Sequence, residues 1–110
     1  MKIAIVGSRK VKAVGIEELV SPGDEIVSGG AKGVDTQAAE YALKNGLKLT
    51  VLLPRYDRYG RAAPLIRNRE IVDYADKIIA FWDGSSKGTL SVIRYAEKTG
   101  KPCHIVMCIS

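Results

Sequence analysis

Two cysteines, one histidine and no long apolar run set the first limits on this chain of 110 residues. Cys103 and Cys108 both lie near the C-terminus. Five residues apart on an extended segment they point to opposite faces, which argues against a mutual disulfide. His104 stands alone, so none of the usual metal-ligand spacings can be assembled and no metal site is expected. No stretch approaches the roughly 18 apolar residues of a membrane span. The opening residues, Met1 to Gly7, are too short for a signal peptide and read as a buried strand, so a cytoplasmic location is expected. Internal repeats, low-complexity tracts and interdomain linkers are lacking too, and the length suits one domain over residues 1–110 with a single core.

What is present is ordinary for a soluble globular protein: 46% apolar and 26% charged residues. The formal net charge of +5 favours anionic partners such as nucleotides or nucleic acid. The stretch Ser28-Gly29-Gly30-Ala31-Lys32-Gly33-Val34-Asp35 organises the rest. It follows the apolar run Glu25-Ile26-Val27 and precedes a helical pattern from Val34. Glycines at 29, 30 and 33 remove Cβ atoms at a strand-to-helix turn, where backbone N–H groups and the positive end of the helix dipole can meet an anion. Lys32 adds a charge and Asp35 can cap the first turn. The plainer alternative is a βα turn whose glycines serve its own geometry. Neither G-x-G-x-x-G nor G-x-x-x-x-G-K-[ST] is matched.

Taken in order, Lys2–Val6 reads as a first strand ending in Gly7-Ser8-Arg9, which offers N–H groups, a hydroxyl and a guanidinium. Val11–Val20 gives a helical pattern interrupted by Gly15. Asp24–Ser28 is a second strand. Val34–Asn45 follows as a helix with its stripe at Ala38, Ala39, Ala42 and Leu43, closed by Gly46. Leu47–Leu53 is a third strand, and Arg55-Tyr56-Asp57-Arg58-Tyr59-Gly60-Arg61 a basic, aromatic loop. Such a loop can stack on a base and hold a phosphate, or simply connect two elements at the domain edge. Pro64 opens a third helix to about Tyr74, with Arg67-Asn68-Arg69-Glu70 near its start. Lys77–Trp82 is nearly all apolar and reads as a central parallel strand. It ends in a second glycine- and hydroxyl-rich turn, Asp83 to Thr89. A helix with Thr89, Val92, Ile93 and Ala96 on one face runs to Gly100, and Pro102–Met107 is the last strand. Alternating strands and helices with right-handed crossovers give an α/β, Rossmann-like doubly wound sheet of five mainly parallel strands with about four helices. Ligands of such sheets bind at the carboxyl ends of the strands, where these turns collect.

With Tyr59-Gly60-Arg61-Ala62-Ala63, Ile66 to Glu70 and Phe81 to Thr89 added to the first two turns, the chain resembles the YspA-like branch of the SLOG superfamily. That superfamily includes the DNA-processing protein DprA, the LOG phosphoribohydrolases and molybdenum-cofactor carrier proteins. The resemblance covers nearly the whole chain in order. It implies a Rossmann-like domain that binds a nucleotide, a nucleotide derivative or nucleic acid. By position, Gly7, Ser8 and Arg9 match the first-strand ligand loop, and Gly29, Gly30 and Gly33 the phosphate loop. Arg67 and Asn68 match the Arg-Asn pair, and Gly84, Ser86, Gly88 and Thr89 the second glycine loop. Tyr56 stands where the branch often has tryptophan, and Pro64-Leu65 replaces a Gly-Pro. The first helical region is short for the branch.

The leading expectation is binding or sensing of a nucleotide-derived ligand, with no cofactor required. Whether the ligand is turned over is left open. A LOG-like N-glycosidic hydrolase carries an acidic residue after its second glycine loop, whereas Gly88-Thr89 is followed here by Leu90-Ser91-Val92-Ile93. Glu70, Asp35 or Asp83 would have to act as the base, Glu70 being the candidate catalytic residue. Single-stranded nucleic-acid binding draws on the likeness to DprA and on Arg55, Arg58, Arg61, Arg67 and Arg69. Self-association into a dimer or tetramer is implied by resemblance alone.

Overall fold

A computed structural model describes residues 1–108 as a five-stranded sheet. The strands are β1 (Lys2–Gly7), β2 (Glu25–Ser28), β3 (Lys48–Val51), β4 (Lys77–Trp82) and β5 (Cys103–Met107). Their order is β3-β2-β1-β4-β5 and every pairing is parallel. This is the Rossmann-like α/β sheet the alternation of elements implies. The middle of β1 and of β4 is buried on both sides, which is why these strands read as unbroken apolar runs.

Side chains alternate along each strand and so build two cores. Ile3, Ile5, Ile26, Ile79 and Phe81 face one side, under α2 (Val34–Lys44) and the segment around α1 (Ile16–Leu19). Ala4, Val6, Val27, Ile78 and Ala80 face the other, under α4 (Ala63–Tyr74) and α5 (Lys87–Thr99). Cys103 packs on the second core and Cys108 on the first, and both thiols are free, as their spacing requires. No helix among the described residues is long and apolar enough to cross a membrane.

Three local expectations change. The first helix shrinks from Val11–Val20 to four residues, because Gly15 has φ of 83° and halts the pattern before Ile16. Val11, Ile16 and Val20 are buried all the same. On α2 the buried stripe is Val34, Ala38 and Ala42, while Leu43 is 72% exposed, since it lies about 100° round the helix from Ala42. The basic segment expected to be a loop instead coils into α3 (Tyr56–Tyr59) and a 3₁₀ turn over Gly60–Ala62. Pro64 sits in the first turn of α4 as its fixed φ favours.

At the amino ends of the strands one carboxylate ties three elements together. Glu25 accepts hydrogen bonds from the hydroxyls of Tyr74 on α4 and Thr50 on β3, and pairs with Lys48 at 3.4 Å. Lys2 lies over the Tyr74 ring at 4.3 Å. This anchorage is at the edge opposite the carboxyl ends of the strands.

Candidate functional site

The strand order reverses between β1 and β4, so the chain leaves the two strands in opposite directions and a crevice opens beyond their carboxyl ends. Ser8 bridges its base: its N–H donates to the Phe81 carbonyl at 3.1 Å, and its hydroxyl accepts from the Asp83 N–H at 3.4 Å. The crevice holds about 600 Å³, within the usual range for small-ligand sites. Gly7, Ser8, Arg9 and Lys10 line it from the β1 turn, and Ala31 and Asp35 from the Gly-rich turn and α2. From α4 come Pro64, Arg67, Asn68 and Ile71. The turn after β4 and α5 supply Asp83, Ser85, Ser86, Gly88, Thr89 and Val92.

Nine of the residues singled out from the sequence as ligand-binding therefore share one wall system: Gly7, Ser8, Arg9, Asp35, Arg67, Asn68, Ser86, Gly88 and Thr89. Gly29, Gly30, Lys32, Gly33 and Gly84 are not part of the lining. The glycines of the first turn make room for the protein's own chain. A Cβ on Gly29 would come within 2.8 Å of the Arg67 Nη1 and 2.9 Å of the Asp35 Oδ2. One on Gly33, whose φ is 84°, would come within 2.6 Å of the Arg9 carbonyl oxygen.

Two N–H groups of this turn also bond within the protein. Gly30 donates to the Ser28 hydroxyl at 3.2 Å and Ala31 to the Asp35 carboxylate at 3.1 Å. Besides Ala31, the turn gives the crevice an anchor for the guanidinium of α4. Arg67 donates through Nη1 to the Gly29 carbonyl and through Nε to the Asn68 side chain at 3.1 Å. Those bonds engage two of its five N–H donors.

Two carboxylates stand in the wall, and their surroundings push them in opposite directions. Burial raises the Asp35 pKa, opposed by the Ala31 N–H and the Arg67 charge. Asp83 is lowered by hydrogen bonds from the Ser85 and Ser86 N–H groups, at 2.9 and 2.8 Å. That pair of bonds shapes the turn just before α5, whose first-turn N–H groups have no acceptor within the helix and carry its positive dipole end. Gly88 and Thr89 of that turn line the crevice. Glu70 is outside the lining and pairs with Arg55 at 2.8 Å. Val6, Lys10, Ala31, Pro64, Ile71, Ser85 and Val92 line the crevice without having been singled out from the sequence as ligand-binding. The helical spacing of Pro64, Arg67, Asn68 and Ile71 is the signal that would have placed two of them.

Comparison with known proteins bears on the same elements. A segment 39% identical over 83 residues is shared with the Gene 61 protein of Mycobacterium phage D29, covering 70% of this chain and 66% of that protein's length. No solved structure gives a significant match. The family model for DNA recombination-mediator protein A matches residues 1–58, from β1 through the Gly-rich turn, α2 and β3 into α3. Arg67 and the turn before α5 lie beyond the matched segment, but the β1 turn and Asp35 lie within it, and the chain belongs to the DNA recombination-mediator protein A family, and so to the SLOG superfamily.

Proposed function

We propose that the crevice between β1 and β4 binds a nucleotide or nucleotide-derived ligand, with its phosphate between Arg67 and the amino end of α5. The observation that carries this is the fixing of Arg67 by Gly29 and Asn68 in the wall that also contains Gly88 and Thr89. A prefixed guanidinium and a helix N-terminus both favour an anion, and both lose little freedom when one arrives. Ser8, Ser86 and Thr89 add hydroxyls for the sugar or the phosphate. The Arg67-Asn68 pair and the second glycine turn, taken with the fold, support placing the chain in the YspA-like branch.

Binding is better supported than hydrolysis. Asp35 and Asp83 already accept backbone N–H groups of their own turns, and Glu70 is held by Arg55 outside the crevice. A second reading, binding of single-stranded nucleic acid, is favoured by one observation: the matching family is named for mediating DNA recombination.

Native mass spectrometry of the purified protein, followed by denaturation and identification of what is released, tests the first reading. A stoichiometric nucleotide-like species is expected in the wild type and is lost in Arg67→Ala. An empty wild-type protein that also fails to bind any of a panel of nucleoside mono- and diphosphates would overturn it.

A further inference from the structure

The outer surfaces of α4 and α5 enclose a second groove of about 540 Å³ that shares no lining residue with the crevice. Its apolar lining is Leu65, Leu90 and Tyr95. Its charged lining is all of one sign: Arg69 from α4, and Lys87, Arg94 and Lys98 from α5. The four cations are exposed, and among the described residues no carboxylate lies within ion-pair distance of any of them.

Position on the helix explains how the surface arises. Lys87, Ser91, Arg94 and Lys98 succeed one another at spacings of four, three and four, which puts them on one face of α5. The three cations span about 16 Å along the axis. Arg94 and Lys98, one turn apart, repel each other and disfavour the isolated helix. An anionic partner removes that cost.

The apolar members decide which anion fits. One face of the Tyr95 ring is taken by Arg69, which lies over it at 5.6 Å, and its hydroxyl donates to Asp73 at 3.1 Å. Tyr95 is the one aromatic ring of the lining, so successive bases find no run of stacking platforms, which single-stranded nucleic acid ordinarily uses. Aliphatic side chains do find a place, beside Leu65, which is 45% exposed, and half-buried Leu90. We propose that the α4–α5 groove docks an acidic, amphipathic peptide segment of a partner protein. Its carboxylates pair with Lys87, Arg94 and Lys98, and its leucine-like side chains lie on Leu65 and Leu90.

The test is fluorescence anisotropy with a labelled twelve-residue peptide of Asp and Glu carrying leucines three and four residues apart. The variant Arg94→Glu with Lys98→Glu is expected to weaken binding by about tenfold or more, and Leu90→Ser by a few-fold. Arg67→Ala should leave it unchanged, which separates this groove from the crevice. All the altered groove side chains are exposed or half-buried, so circular dichroism should show each variant folded. The proposal is overturned by a peptide that does not bind, or whose binding ignores the charge reversal. It is equally overturned if a leucine-free acidic peptide binds as well. Should a twelve-nucleotide oligothymidylate alone lose affinity in the double variant, the groove is a nucleic-acid track instead.

Discussion

Glycine at position 29 is required by a side chain 38 residues further along the chain. Its missing Cβ leaves the space that Arg67 and Asp35 occupy, so Gly29→Ala should act on the site more than on the fold. The far end of an arginine can shift, but the buried Asp35 carboxylate must give as well, and the expected stability loss is about 1 kcal/mol, the low end for overpacking. Nucleotide affinity should nonetheless fall about tenfold, because the guanidinium leaves its fixed position. At Gly33 the balance is reversed. A Cβ there meets backbone at φ of 84°, so Gly33→Ala should cost about 1–3 kcal/mol in denaturant unfolding. Asp35 supplies a pH test at the same scale. Burial lifts its folded pKa above the ordinary 3.8, so the folded state binds a proton more readily than the unfolded chain. Its contribution is fully present below 3.8 and diminishes as pH rises through the raised value. The stability difference between wild type and Asp35→Asn should therefore shrink with rising pH and then level off. A difference that grows with pH would mean that the Ala31 N–H and Arg67 outweigh burial.

Elements form where local pattern and packing agree. The five strands were legible from apolar runs and flanking glycines, because alternate residues of β1, β2 and β4 must serve two cores. The first helix was not legible, since Val11, Ile16 and Val20 keep a buried pattern while Gly15 adopts a conformation no helix contains. For the same reason Gly15→Ala, which raises helix propensity on paper, should destabilise the protein by about 1–2 kcal/mol. The convergence of the β1 turn, α4 and α5 on one crevice was also legible, since strand-end turns of a parallel sheet share an edge. The inward direction of the Gly-rich turn was not. Its partners, Arg67 and the Arg9 carbonyl, are distant in sequence and carry no local mark. Glu25 gives this scale its own pH dependence, opposite in sign to that of Asp35. The Tyr74 and Thr50 hydroxyls and Lys48 hold its pKa below 4.5, so its contribution is present above 4.5 and is lost as pH falls through the lowered value. Glu25→Gln should lower the melting temperature at pH 7 by more than at pH 3.

Over the whole molecule the net charge of +5 is distributed in separate groups rather than one belt. Arg9, Lys10 and Arg67 line the crevice, and Arg55, Arg58 and Arg61 sit on and beside α3. Arg69, Lys87, Arg94 and Lys98 line the α4–α5 groove. A nucleotide held in the crevice touches only the first group. A single strand crossing the surface must engage at least two, releasing counterions at each phosphate it neutralises. Salt dependence thus counts the groups in use. For a nucleoside monophosphate, log Kd against log salt should have a slope no greater than about 1, and Arg58→Ala with Arg61→Ala should leave the affinity unchanged. For a twelve-nucleotide oligothymidylate the nucleic-acid reading requires a slope of about 2 or more, at roughly 0.7 per phosphate, with losses in both Arg67→Ala and the double arginine variant. If the oligonucleotide shows that steep slope while monophosphates fail to bind, the crevice receives one nucleotide of a strand. A shallow slope for both, with Arg67→Ala the only damaging change, confines recognition to a single phosphate-bearing ligand at the end of β1.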